Sequence, residues 1–177
     1  MTKEELDNIR KNKHWTVTLE DFYSRYLFVL LPLAIVFIGS IAATSAFRND
    51  VANLKTTSII ILTFGLFLTF FTAIRLYQNQ IFESYYIPGL TNDKIEDALK
   101  KTNLNNAKFY KLGYFQATTK VSWFSWGELI TIIPDNEKLL INSRPTGTAF
   151  LFQPITIFKD RKNIKTIISV LTNLNPQ

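Results

Sequence analysis

The sequence predicts a membrane-embedded α-helical hairpin joined to an α+β domain. That domain is expected to have two layers, with an antiparallel sheet of four or five strands flanked by two helices. Three observations carry this reading. Two long uncharged apolar runs occupy the first half of the chain, period-two alternation fills much of the second half, and amphipathic helical stretches bracket the alternating part.

The N-terminal stretch, residues 1–25, is polar: "MTKEELDNIRKNKHWTVTLEDFYSR". It reads as a leader. Residues 26–47, "YLFVLLPLAIVFIGSIAATSAF", then run for 22 positions without a charge, and residues 56–74, "TTSIIILTFGLFLTFFTAI", for 19 more. About 20 apolar residues suffice for a helix to cross a hydrocarbon core of roughly 30 Å. Inside lipid a backbone must satisfy its own polar groups, so two runs of this length read as two spanning helices. A 177-residue chain with 47% hydrophobic residues and a mean hydropathy of +0.07 offers too little further chain to cover both all round.

Charge sets the expected orientation. Lys3, Arg10, Lys11, Lys13 and Arg25 precede the first span, only Arg48 and Lys55 lie in the connector, and Arg75 follows the second span. The positive-inside bias therefore predicts both termini in the cytoplasm of a multi-pass inner-membrane protein, with a loop of about nine residues outside. The alternative is a cleaved signal, because Ala42 to Ala46, "AATSA", has the small residues a signal peptidase accepts. The 25-residue leader and the long apolar run favour a retained anchor. Small residues recur at i, i+4 within the runs: Gly39 with Ala43, Ala42 with Ala46, and Gly65 with Thr69 and Ala73. Such stripes let helix backbones approach closely in lipid, within the hairpin or in a homo-oligomer. Neither run contains Asp, Glu, Lys, Arg or His, which argues against a proton relay or an ion path.

Residues 79–90 read as a juxtamembrane connector and residues 91–177 as the soluble domain. "TNDKIEDALKKTNL" sets Ile95, Ala98, Leu99 and Thr102 on one helical face, with Thr91 or Asn92 as cap and Lys100 and Lys101 near the end. "AKFYKLGYFQA" alternates and reads as one strand; "TKVSWF", "GELITII" and "KLLINS" read as three more. Residues 134–137, Pro-Asp-Asn-Glu, make the turn of a hairpin between the last two. "ITIF" offers an edge strand. A final helix, capped by Asp160 or Asn163, carries Ile164, Ile167, Ile168 and Leu171 on one face.

The candidates for chemistry are few. Glu128 follows Gly127 at a strand start beside Trp126, where an indole could desolvate a carboxylate for general acid catalysis. With no second acid at a useful spacing, the simpler reading is a strand-opening carboxylate paired with Lys138 across the hairpin. Trp123 and Trp126 have opposite parity, so one enters the core and the other can form an aromatic ledge for a ligand or partner. Phe150, Leu151 and Phe152 are consecutive and cannot all face one core. With Lys159, Arg161 and Lys162 close behind, they make the best candidate surface for a partner or for lipid headgroups. His14 is the single histidine and there is no cysteine, so metal sites built from Cys and His are not expected. The six glycines form no phosphate-cradling loop. A net charge of +6, spread thinly, suits anionic headgroups rather than nucleic acid. No cofactor and no metal are expected.

Through "SWGELITII", "KLLINSRP" and "KDRKNIKTIISVL" the chain resembles small two-span bacterial membrane proteins with a C-terminal α+β domain that contains the S-W-G-E strand. The resemblance covers about 80 residues and implies no assigned activity. In outline the chain is also similar to bacterial PH-like membrane proteins and to two-span antiviral effectors with a nucleotide-sensing barrel, from both of which the helix at 92–103 departs. The leading expectation is a non-enzymatic accessory or scaffold protein whose domain binds a partner protein or the membrane surface. The alternatives are a ligand-sensing effector that oligomerises and a membrane-tethered enzyme using Glu128.

Overall fold

The computed structural model describes residues 1–15, 19–102, 104, 106–120, 127–145 and 159–174, with the side chains at 19–22, 24, 25 and 159–161 left aside. The elements run α1 (Lys3–Asn12), α2 (Leu19–Arg48), α3 (Ala52–Gln78), β1 (Glu83–Tyr86), α4 (Asn92–Lys101), β2 (Lys108–Tyr110), β3 (Tyr114–Thr118), β4 (Glu128–Asp135), β5 (Lys138–Pro145) and α5 (Lys159–Asn173).

Helices α2 and α3 form a hairpin, and both are long and apolar enough to cross a membrane. At 1.5 Å per residue, the 27 residues of α3 reach about 40 Å. The turn between them is shorter than the nine residues expected, because the helices take up most of the connector. Only residues 49–51 lie outside them, with Asp50 left-handed at φ 54° and ion-paired to Lys55. The seam takes Gly39, Ala46 and Gly65 from the small-residue stripes but repeats at seven rather than four. Pro32, Gly39 and Ala46 are buried on α2, and Ser58, Gly65 and Thr72 on α3, whereas Ala42, Ala43, Thr69 and Ala73 are half-buried. A seven-residue repeat keeps one face of each helix turned to its partner through a left-handed supercoil. A Cβ placed on Gly65 would lie 2.9 Å from Val36 Cγ2 and 3.0 Å from the Val36 nitrogen, so the backbones touch there. Away from the seam the surface is apolar and open. Leu31, Phe37, Ile60, Phe67 and Phe70 are each more than 60% exposed.

The sheet is antiparallel with five strands in the order β1-β5-β4-β3-β2. One face carries Ile87, Phe115, Ala117, Ile130, Ile132, Leu139 and Ile141. Against it lie Ile95, Ala98 and Leu99 of α4 and Ile164, Ile167 and Leu171 of α5. Those are the two helices expected, on the helical faces expected.

The other face corrects the two-layer reading. The polar leader begins with a helix, α1, closed by a capping box in which Thr2 and Glu5 each bond the other's backbone nitrogen. Its Leu6 and Ile9 lie three residues apart on one face and bury against Phe82, Tyr114, Ile133 and Leu140. The domain therefore has three layers, with α1 on one side of the sheet and α4 with α5 on the other.

Four further expectations change. The connector contributes a strand, β1, which pairs with β5 from Glu83 opposite Ile141 to Tyr86 opposite Lys138. "AKFYKLGYFQA" is two strands, because Gly113 at φ 85° lets the chain reverse between β2 and β3. In the β4–β5 hairpin, Pro134 and Asp135 remain in the strand. The reversal falls on Asn136, left-handed at φ 55°, and Glu137. Helix α5 begins at Lys159, so Asp160 and Asn163 are both inside it and neither caps it. The expected strand "TKVSWF" is outside the described residues except for Thr119 and Lys120, which are not strand, and "ITIF" is outside them altogether.

Candidate functional site at the helix–sheet junction

Trp123, Trp126, Phe150, Leu151 and Phe152 lie outside the described residues. Lys159 and Arg161 fall in the first turn of α5, where their side chains are not described, and Lys162 is exposed on the same helix. Of the sequence candidates, Glu128 is the one whose surroundings are fixed.

Glu128 opens β4 with no exposed surface. Even-numbered residues of β4 and odd-numbered residues of β5 face α4 and α5, which brings Ser143 and Asn163 to it. Its Oε2 accepts from Ser143 Oγ at 2.8 Å and from Asn163 Nδ2 at 2.6 Å, while its backbone nitrogen donates to Thr119 Oγ1 at 2.8 Å. The expected Lys138 partner is at the far end of the hairpin, where Lys138 stands opposite Asp135 and Glu128 stands opposite Pro145. A buried carboxylate requires donors, and here α5 and β5 supply them, stitching the helix to the sheet. Beside this knot lies a cavity of about 590 Å³ lined by Thr102, Asn106, Thr118, Thr119, Lys120 and Asn163, among others. No group of three His, Cys, Asp or Glu that could hold a metal gathers among the described residues.

A second knot was not foreseen. Asn142 is 2% exposed, on the α1 side of β5. Its Nδ2 donates to the carbonyls of Asn79 at 3.1 Å and Ile81 at 2.7 Å, and its Oδ1 accepts from Trp15 Nε1 at 3.0 Å. One side chain thus ties the end of α3, the approach to β1 and the N-terminal segment to the sheet. Around it, Trp15 packs on Phe82 with ring centres 5.2 Å apart, and the Arg144 guanidinium lies 4.2 Å from the indole centre. His14 forms an isolated antiparallel bridge with Ile81, Phe82 N donates to Lys13 O at 2.8 Å, and Trp15 N donates to Gln80 O at 3.0 Å. His14 Nδ1 lies 2.8 Å from the Trp15 carbonyl, which can only accept, so Nδ1 carries a proton. The signal for this knot was an Asn inside the apolar strand "KLLINS", since a polar side chain at a buried position requires partners.

Next to Asn142, a smaller cleft of about 230 Å³ is lined by Arg75, Gln78, Ile81, Glu83, Ser143 and Ile164, besides Asn142 itself. Arg75 Nη1 donates to Gln78 Oε1 at 3.3 Å. Glu83 accepts from the Tyr85 hydroxyl. Burial, the hydrogen bond to Glu83 and the negative charge of Glu83 push the Tyr85 phenol up to about 12.

The described surface also contains an exposed aromatic edge. Strand β2 and the turn after it show Phe109, Tyr110 and Leu112 to solvent beside Lys108 and Lys111. Comparison of the chain with family models, with curated proteins and with solved structures found no match.

Proposed function

We propose that the chain is an integral membrane protein whose helix hairpin holds a non-enzymatic α+β adaptor domain against the membrane surface, where the domain meets a protein partner. The observation that carries this is the open apolar surface of α2 and α3. Their most apolar windows are only 11% and 17% buried, whereas a core helix of a water-soluble domain would be mostly covered. Water is a poor solvent for that surface and lipid a good one. Both termini then face the cytoplasm, the side with Lys3, Arg10, Lys11, Lys13 and Arg75. On the other side Lys55 is already paired to Asp50.

The adaptor reading is supported by the Asn142 knot, which ties the domain to the end of α3, and by the aromatic edge at β2. A three-residue strand that is the sheet's edge among the described residues, with exposed Phe109, Tyr110 and Leu112, offers backbone and aromatic side chains to a second protein. The resemblance to two-span bacterial membrane proteins agrees with this architecture and adds no activity. Membrane fractions washed with alkaline carbonate test the first half: the full chain should stay in the pellet, and release into the supernatant would sink the reading. In-cell crosslinking of the full chain tests the second half. A reproducible adduct should form, and Phe109→Ala with Leu112→Ser should abolish it. An adduct indifferent to both substitutions would refute the edge as the docking surface.

The 590 Å³ cavity supports a second reading, a ligand-sensing domain that drives oligomerisation of the spans. Thermal unfolding of the full chain with and without a nucleotide panel separates the two, since an adaptor shows no shift. Catalysis by Glu128 finds least support, because a catalytic acid must touch its substrate and this carboxylate is covered on all sides.

A further inference from the structure

The cleft at the end of α3 combines opposite charges with an unusual position. Arg75 is in the last turn of a helix whose preceding residues are apolar, and Glu83 stands five residues beyond that helix. In the proposed membrane reading, on which this inference rests, both lie at headgroup level. An arginine there is ordinary, but a half-buried carboxylate facing the same cleft is not, since it repels anionic headgroups. No ion pair joins Arg75 or Glu83 to an opposite charge among the described residues.

The remaining walls narrow the ligand. Both amide protons of Asn142 are committed to the Asn79 and Ile81 carbonyls, and the Ser143 hydroxyl is committed to Glu128. The donors left are the outer N–H groups of Arg75, oriented by its bond to Gln78, and the Gln78 amide itself. These suit a phosphate. The Glu83 carboxylate, steadied by the Tyr85 hydroxyl, suits an ammonium. Ile81 and Ile164 give the cleft an apolar rim. At about 230 Å³ it is smaller than the roughly 300–1,000 Å³ of pockets that enclose drug-sized molecules, so it takes a headgroup and leaves acyl chains outside.

We propose that this cleft binds the phosphoethanolamine headgroup of a membrane phospholipid, with the phosphate on Arg75 and Gln78 and the ammonium on Glu83. Phosphatidylglycerol offers the anion without the cation. A choline headgroup offers a cation with no N–H to give Glu83.

The test uses the full chain in mild detergent, with thermal unfolding followed by tryptophan fluorescence. Phosphatidylethanolamine, phosphatidylglycerol and phosphatidylcholine of identical acyl chains are titrated in turn, with soluble glycerophosphoethanolamine as a fourth arm. Phosphatidylethanolamine should half-saturate at a concentration roughly fivefold below the other two lipids, the margin of one partly exposed ion pair. Arg75→Gln should remove the responses to both phosphatidylethanolamine and phosphatidylglycerol. Glu83→Gln, which still accepts from Tyr85, should remove only the preference between them, with the lipid-free unfolding temperature close to that of the unmodified chain. Equal responses to the three lipids, or a preference that survives Glu83→Gln, overturns the site. A response to glycerophosphoethanolamine as strong as that to the lipid overturns a lipid source. Carbonate extraction of the same membranes reports insertion separately: retention without headgroup preference rejects this site alone, and release rejects the membrane reading with it.

Discussion

Asn142 shows how one side chain can join three parts of a chain. Its amide satisfies the Asn79 and Ile81 carbonyls and the Trp15 indole at once, in a position 2% exposed. Asn142→Ala strands all three, and each stranded group costs about 1–3 kcal/mol. A loss of about 3 kcal/mol or more is expected in the unfolding of the full chain. Asn142→Asp should do no better, since a carboxylate cannot donate to two carbonyls. Trp15→Phe keeps the ring on Phe82 and under Arg144 but removes the N–H, so it should cost about 1 kcal/mol. In combination with Asn142→Ala the two effects should fall short of additive, because they share one bond. At Tyr85 the phenol is an acid whose folded value is raised, from 10.0 to about 12. The neutral form is therefore favoured by folding. The resulting stability is fully present below pH 10 and is lost as the pH rises through about 12. The hydrogen bond to Glu137 also raises Tyr86 and burial also raises Tyr114, so phenolate absorbance should show several late-titrating tyrosines, of which Tyr85→Phe removes one. A high-pH titration curve unchanged by that substitution would count against the contact.

Among elements, those whose burial follows a period could be read in the sequence. Ile95, Ala98 and Leu99, and Ile164, Ile167 and Leu171, face the sheet because their spacing puts them on one helical face. What escaped were elements whose signals are short or nonlocal. The Thr2–Glu5 capping box was written in the leader, yet two buried apolar residues, Leu6 and Ile9, in an otherwise polar ten-residue helix look like a solvated tail until the sheet is there to receive them. Strand β1 is four residues long, and only its pairing with β5 defines it. For Glu128, sequence distance suggested Lys138 as the partner, but Lys138 stands opposite Asp135 at the far end of the hairpin. The partners of Glu128 are Ser143, across the hairpin, and Asn163, which is 35 residues away on an element whose position no local pattern encodes. The hairpin α2–α3 illustrates the legible kind and carries its own prediction. At Gly65 even a methyl group meets the Val36 backbone nitrogen at 3.0 Å, so Gly65→Ala must push the helices apart. A loss of about 1–3 kcal/mol is expected from overpacking, whereas Thr63→Ala on the exposed face of the same helix should change little. Thermal unfolding in detergent distinguishes them, and equal effects would mean that α2 and α3 do not meet at Gly65.

For the whole molecule, the packing of α1 on the sheet constrains how the chain can be threaded. Leu6 and Ile9 are buried against Phe82, Tyr114, Ile133 and Leu140, while the segment after α1 is bridged to Ile81 and bonded to Asn142. The N-terminus and the α+β domain therefore stand at the same end of the helix hairpin, and the turn at residues 49–51 stands at the other. If the hairpin spans a bilayer, α1 and the domain share one side of it. Placing them on opposite sides would require α1 to leave the sheet and expose two apolar side chains and one face of the domain, which the hydrophobic effect opposes. The absence of cysteine makes this directly measurable. Single cysteines at Lys3, Asp50 and Lys165, all exposed positions, can be labelled with a membrane-impermeant maleimide in intact and permeabilised cells. Lys3→Cys and Lys165→Cys should react only after permeabilisation, and Asp50→Cys before it. The pairing of the first two follows from packing alone and the choice of side from the distribution of charge. Lys3 and Lys165 reacting together from the outside would invert the orientation but keep the fold. Lys3 and Lys165 reacting from opposite sides would dismantle the α1–sheet interface itself.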